Sequence, residues 1–350
     1  MFGYKHYLPI LKTKNGEFWA VKHLRSTAKA GITPLFELDN LPRPKTPKKP
    51  PKKPTKPKTL GDHLKKKMVS IADCWGVGNK FFLDTIWIRG QDVDPSIASS
   101  VFDSARLAGL HAIPVASLSH SNSVLNEIGA IAAKDKRGAM LRLGTDDINR
   151  PHLIDAVLKQ LTLQPKQVHL LLDYHTKPMS LDADISTIPH LMNWHTLSAS
   201  SSAFPASLAS LPHRTWHELP RTEWKEWSKS IKGGKLKRMP AFADNTVRAY
   251  GAPAEGGKPP VVLRYTCPSK WLVRQDGNHM DGDSPEMLKI CQSLVKRPEF
   301  LAFTASYSEG DKAIQGIADG KVSTGAPQQW VQYAVNHHIE VVVRENLPSV

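Results

Sequence analysis

Six charged residues end six short apolar runs of the chain: Lys12, Glu37, Asp84, Arg142, Asp173 and Asp244. In a parallel α/β barrel, side chains at the C-terminal ends of the strands face one common site, so residues of these types would meet there. Carboxylates from different strands can act as general acid and base or as hard oxygen ligands for a divalent metal, and Glu37, Asp84 and Asp173 are the candidates for that chemistry. Lys12 and Arg142 would hold an anionic substrate such as a phosphoester. The competing reading is an internal salt-bridge network that closes the barrel mouth without catalysis, since each desolvated charge needs a partner.

The other polar constellations are weaker. His213 and His217 stand four apart, but Pro212 and Pro220 bracket them and no acid follows the first as in a zinc helix, so the metal remains unassigned. Asp173 and His175 share one side of a strand, which puts the ring near the carboxylate. Gly76-Val-Gly78-Asn-Lys80 precedes a strand instead of following one and lacks the spacing of a phosphate-binding loop. Residues 276–286 are rich in acids, yet Met280 and Asp281 occupy positions where a calcium loop needs an oxygen ligand and a glycine. There is no Gly-x-Ser-x-Gly elbow for a serine nucleophile.

Strands must position the six charges. Apolar runs at 7–11, 32–38, 80–86, 111–116, 139–143 and 168–173 alternate with helical patterns at 19–29, 60–72, 96–107, 124–134 and 151–161. Continuous apolar strands between amphipathic helices indicate a parallel sheet buried on both faces. A seventh strand at 195–199 and an eighth at 238–244 favour a closed TIM-like (β/α)8 barrel over an open doubly wound sheet, and no Gly-x-Gly-x-x-Gly turn follows the first strand. The reading divides the chain into a barrel over 1–250 and an irregular C-terminal α+β segment over 251–350 that packs on or completes it. In that segment strands are expected at 260–265, 270–274, 300–305 and 338–343, with helices at 285–294, 312–316 and 328–334. Trp224 and Trp227, three apart on a short helix, are read as packing against the barrel.

The chain has 350 residues, with 47 Lys+Arg against 32 Asp+Glu, and its net charge of +15 is concentrated in one place. Residues 42–67 hold eleven Lys/Arg and one acid, so the rest carries an ordinary charge for a soluble domain. Within 42–58, prolines at high density exclude helix and sheet, giving a Pro/Lys-rich insertion after the second strand that reads as an extended, solvated loop. It is a candidate for salt-sensitive phosphate contact or for docking a protein partner, and it lacks interleaved aromatics for stacking bases. No stretch has the roughly 18 apolar residues of a membrane span, and no apolar leader with a cleavage site opens the chain. Three widely spaced cysteines fit a reducing, cytoplasmic setting better than a disulfide framework.

Several short motifs, in order, resemble the phage "beta protein" family. They are Tyr7-Leu-Pro-Ile-Leu-Lys12 with the Trp19-Ala-Val-Lys-His-Leu24 helix, Ile32-Thr-Pro-Leu-Phe-Glu37, Phe82-Leu-Asp84 and Phe242-Ala-Asp244. Tyr265-Thr266 with Lys270-Trp271-Leu-Val-Arg274, Gly310-Asp311 and Asn336-His-His-Ile339 continue the set. The resemblance spans 7–343 and implies a barrel-like fold, occurrence in phages or near bacterial mobile elements, and a pocket that involves Lys12, Glu37, Asp84, Asp244, Lys270, Arg274, Asp311 and His337. It implies no particular reaction. Tyr307-Ser-Glu309 and Val331 depart from the pattern, which has Trp before Gly-Asp and Arg after Trp330.

These features lead to one expectation and two alternatives. The expectation is an anionic, phosphate-containing ligand, nucleotide or nucleic acid, held at the barrel's C-terminal face by Lys12, Arg142 and Arg274. The alternatives are a non-catalytic interaction protein docking through 42–58, and a metal-dependent phosphoester hydrolase.

Overall fold

The computed structural model describes residues 2–41, 59–91, 93–251, 260–278 and 284–346. The Pro/Lys-rich insertion at 42–58 lies outside the described residues. Eight parallel strands close into a barrel: β1 (Tyr7–Lys12), β2 (Leu35–Glu37), β3 (Lys80–Asp84), β4 (His111–Ala116), β5 (Ala139–Leu143), β6 (Val168–Asp173), β7 (Thr196–Ser200) and β9 (Ala241–Asp244). The last strand pairs in parallel with both β7 and β1, completing the ring and confirming the TIM-like fold.

Helices α1 (Asn15–Lys22), α2 (Ser26–Ala30), α3 (Leu60–Trp75), α4 (Ser96–Leu107) and α5 (Asn122–Asp135) follow the first four strands. Around the second half lie α6 (Thr145–Ile148), α7 (Ile154–Leu161), α8 (Leu181–Thr187) and α9 (Thr222–Gly233). The longest of these, α3, starts where Thr59 and Asp62 satisfy each other's backbone donors in a capping box. Its apolar stripe, including Leu64, Met68 and Ile71, is buried against the barrel. Trp224 and Trp227 on α9 pack around Phe242, with ring centroids 4.9 and 5.4 Å away, so they serve the barrel core as expected.

A second, smaller layer holds β8 (His217–Pro220), β10 (Pro260–Thr266) and β11 (Lys270–Asn278) in the antiparallel order β10-β11-β8. Its middle strand therefore pairs with one taken from the segment between β7 and β9. Helices α10 (Pro285–Leu294), α11 (Pro298–Phe303), α12 (Glu309–Ala318) and α13 (Pro327–Asn346) cover it and share a separate apolar core around Leu263, Leu272, Ile290 and Phe300.

Two expected strands are helices. Residues 300–305 fall largely in α11, which opens with Pro298 in the first turn, where its missing N–H costs nothing. Residues 338–343 lie inside α13, whose Val341-Val342-Val343 run reads as strand by propensity. That helix is wedged between the barrel and the small sheet, so residues 332–343 are buried all round and the 3.6-residue polarity signal is absent.

Inside the barrel the strands alternate as their two-residue period requires. Leu8, Ile10, Leu35, Phe82, Ile113, Val115, Met140, Leu171 and Ala243 form the interior apolar cluster. One step further along the same faces come Lys12, Glu37, Asp84, Arg142 and Asp173. Ala243 faces inward, so its neighbour Asp244 faces out toward the helices.

Candidate functional site

The inward-facing charges at the C-terminal mouth form one connected network. Lys12 Nζ donates to Glu37 Oε2, and the Trp87 indole N–H donates to the same oxygen at 3.0 Å. Arg142 is the hub: Nη1 donates to Glu37 Oε1 at 2.8 Å and Asp84 Oδ2 at 2.7 Å, and Nε to Asp173 Oδ2 at 2.8 Å. Asp173 also accepts from the Ser200 hydroxyl at 2.9 Å and the His175 backbone N–H at 3.0 Å. Register explains the convergence, since Lys12, Glu37 and Asp84 are aligned across β1, β2 and β3.

All five charged groups are at most 6 % exposed. A half-buried layer lies over them: Trp87, with Lys12 Nζ 4.9 Å from its ring, and His175 stacked on Tyr250 at 4.2 Å. The His175 Nε2 is 3.8 Å from Asp173 Oδ2, but β6 ends at Asp173 and His175 follows it in a turn with φ +57°, so strand alternation does not account for the approach. Two carboxyls respond differently to this site. Burial pushes Asp84 up, with Arg142 only partly opposing it and Glu37 adding to the rise. Burial acts on Glu37 in the same sense, but Arg142 and Lys12 outweigh it and hold that carboxyl below its ordinary range.

The remaining sequence candidates stand elsewhere. Asp244 accepts from the Tyr7 hydroxyl at 2.6 Å and from the Thr246 backbone N–H at 2.8 Å. It also meets His338 Nε2 of α13 at 3.0 Å, on the outside of the barrel. Burial pushes His338 down, so a neutral ring donates to the carboxylate and accepts from Thr266 Oγ1 at 2.9 Å through Nδ1. Asp311 and His337 are fully buried partners, 2.8 Å apart, between α12, α13 and β10. His337 Nε2 bonds the Thr266 carbonyl at 2.8 Å, so both ring nitrogens are occupied. Lys270 pairs with Glu218 and Glu299 at 2.6 and 3.0 Å, and Arg274 with Asp276 at 2.8 Å, both on the small sheet. Among the described residues no group of three or more His, Cys, Asp or Glu is placed to hold a metal ion.

Beside the mouth, the loops after β1, β2 and β9 enclose a cavity of about 860 Å³ with α3, β10 and the start of α13. Lys14, Lys66, Lys67, Arg248 and Arg264 line it against Glu17, Asp39 and Asp62. Lys67 is neutralised by Asp39 at 2.7 Å, and Arg248 by the buried Glu17 at 2.9 Å. Arg264 has no carboxylate partner among the described residues; its Nε is buried without a hydrogen bond, and its guanidinium carbon lies 5.3 Å from the Phe204 ring. Burial, reinforced by Arg248, pushes it down to about 10. Lys14 is lowered too, by burial first and Arg248 second. These residues escaped the sequence reading because they come from three distant segments. The one signal for Arg264 was a lone cation in the apolar run of β10.

A family model described as Beta protein matches residues 7–344. The chain belongs to the beta protein family. A comparison with curated proteins finds no match to it. The matched span of this beta protein takes in the ionic mouth, the Asp244–His338 contact, the Asp311–His337 pair and the cavity beside the mouth. Among its described residues no helix is long and apolar enough to cross a membrane.

Proposed function

We propose that this beta-family protein binds a phosphate-containing anionic ligand, of nucleotide size, in the cavity at the C-terminal face of the barrel. The observation that carries the reading is Arg264, a cation with a buried Nε and no carboxylate partner among the described residues, in a concave space of about 860 Å³ that also presents Lys14 and Arg248. A buried guanidinium N–H is costly to leave without an acceptor, and a phosphate oxygen supplies one. The volume falls in the usual range of small-molecule sites. In this reading the Lys12–Glu37–Arg142 network is the floor that fixes the end of β1, and Lys14, two residues further on, lines the cavity. Three buried free thiols support a reducing compartment for the protein, and its setting in a phage or mobile element rests on the family resemblance alone.

Thermal unfolding with nucleoside triphosphates tests this, because a ligand of the folded state raises the melting temperature by mass action. The expected result is a rise in the natural protein that is clearly smaller in Arg264→Ala. An equal rise in both would place the ligand elsewhere.

A second reading, an interaction protein docking through residues 42–58, has one observation in its favour. Asp39, Asp62 and His63, close to the two ends of that segment, line the same cavity. Deleting 42–58 separates the two: a docking protein loses its partner, whereas the nucleotide-dependent rise survives. Proton transfer by Asp84 and Glu37 draws support from their opposite shifts, and it requires ligand to reach beneath Trp87 and Tyr250.

A further inference from the structure

At the opposite, N-terminal end of the barrel, a cavity of about 600 Å³ opens beside the starts of β3, β5, β6 and β7. Lys80, Lys136, Arg137 and Lys166 line it, and no aspartate or glutamate does among the described residues. Arg137 is tied to Asp135 at 3.4 Å, but the three lysines have no carboxylate of the described residues within ion-pair distance. The two adjoining recesses add Lys29 and Arg238, again without an acid among the described residues.

The floor of this cavity is made of rings. The His169 ring packs edge-on to Phe82 at 4.8 Å and to His195 at 4.6 Å. Thr196 Oγ1 holds His169 Nδ1 at 2.8 Å, and the Lys166 carbonyl holds His195 Nδ1 at 3.2 Å, so both rings are fixed with Nε2 unused by the described residues. Burial pushes His169 down to about 3, with His195 and Lys80 adding to the effect, so its ring is neutral at physiological pH.

We propose that this end of the barrel is a second ligand site, and that it takes a phosphorylated small molecule bearing a planar ring, of the size of a nucleoside monophosphate. The lysines come from three separate segments, yet they meet around one concavity instead of forming a stripe. Ammonium groups are compact point charges suited to phosphate oxygens. Beneath them the half-buried His195 ring offers an aromatic face, and the ring nitrogens unused by the described residues can meet the polar edge of a base. None of these residues lines the C-terminal cavity, so the proposal stands independently of the function assigned there.

Calorimetric titration with adenosine monophosphate, adenosine and inorganic phosphate tests it on the full chain. The lysines are exposed, so a Lys80→Ala/Lys166→Ala double variant should keep its fold, which near-ultraviolet circular dichroism checks. In an Arg264→Ala background, which removes any contribution of the C-terminal cavity, the expected result is binding of the monophosphate with a Kd below about 1 mM, weakened at least about tenfold when Lys80 and Lys166 are replaced as well. Adenosine and inorganic phosphate should each bind at least about tenfold more weakly than the monophosphate. The proposal fails if the monophosphate does not bind in the Arg264→Ala background, where only the N-terminal cavity is left to hold it, or if replacing the two lysines there leaves binding equally tight. It also fails if either half-molecule binds as tightly as the whole. A single-stranded oligonucleotide that binds about a hundredfold tighter, with the same lysine dependence, would replace the small-molecule site with an extended nucleic-acid face.

Discussion

Arg142 Nη1 lies 2.8 Å from Glu37 Oε1, so a guanidinium at the end of β5 is tied to a carboxylate at the end of β2 across the barrel mouth. The same guanidinium serves Asp84 and Asp173, so one cation bridges three buried acids. Arg142→Met would leave those acids facing one another in a closed site. The expected cost at neutral pH is about 3–5 kcal/mol of stability, the usual penalty for stranding buried charge. With the guanidinium gone nothing opposes the upward push of burial on Asp84, so the lost stability should return as the pH falls and that carboxyl takes up a proton. Urea denaturation at two pH values measures both effects. A cost under about 1 kcal/mol would show that the carboxylates find other partners.

Glu223 predicts a separate pH dependence. Glu223 is 1 % exposed, neither carboxyl oxygen has another side chain of the described residues within hydrogen-bond distance, and Arg221 Nε is 3.8 Å away. Burial pushes it up to about 8, with Arg221 opposing and Asp244 reinforcing the shift. A folded value above the unfolded one means the folded state holds the extra proton. Its contribution is complete below the ordinary glutamate value near pH 4.5 and is lost by about pH 8, at up to about 1.4 kcal/mol per pH unit. Glu223→Gln should therefore flatten the stability profile over that window and be more stable than the natural protein at pH 8. Parallel profiles for the two proteins would refute the assignment.

The barrel was legible because most of its strands are apolar runs, the pattern that a parallel sheet buried on both faces imposes, and six of them carry a charge at or next to their C-terminal end. Parity then separates Lys12, Glu37, Asp84, Arg142 and Asp173, which turn inward, from Asp244, which does not. In Ala241-Phe242-Ala243-Asp244 both faces are apolar, so composition alone could not tell which side the acid takes. The helix α13 was misread for the opposite reason: burial on every side erased its period and left only the β-branched valines to judge by. Arg264, Lys14 and Arg248 were beyond reach, because a cavity built from three loops has no spacing to read.

Gly138 is a position where backbone geometry leaves no alternative. It has φ +70° at the turn into β5, and a Cβ there would lie 1.9 Å from the Gln167 carbonyl oxygen. Gly138→Ala must therefore combine left-handed strain with a backbone clash, and a loss of more than about 2 kcal/mol is expected. Because Gly138 and Gln167 both line the N-terminal cavity, the same change should weaken any ligand held there. A melting temperature within about 1 °C of the natural protein would mean that the β5 and β6 starts can separate at little cost.

Arg264 links stability to binding in the opposite sense. In the free protein the half-buried Arg264 has its Nε buried without a carboxylate of the described residues to offset the lost hydration, next to a second cation, Arg248. Arg264→Met keeps the stem that packs near Phe204 and removes the charge, so the free protein should gain roughly 1 kcal/mol. If the cavity holds phosphate, the same substitution should cost at least about tenfold in nucleotide affinity, equivalent to one charge-assisted contact. Unfolding and titration on one preparation separate the cases. A gain in stability with unchanged affinity would leave Arg264 a packing residue and remove the main support for the C-terminal site. A loss of both would show that the arginine finds a structural partner in solution.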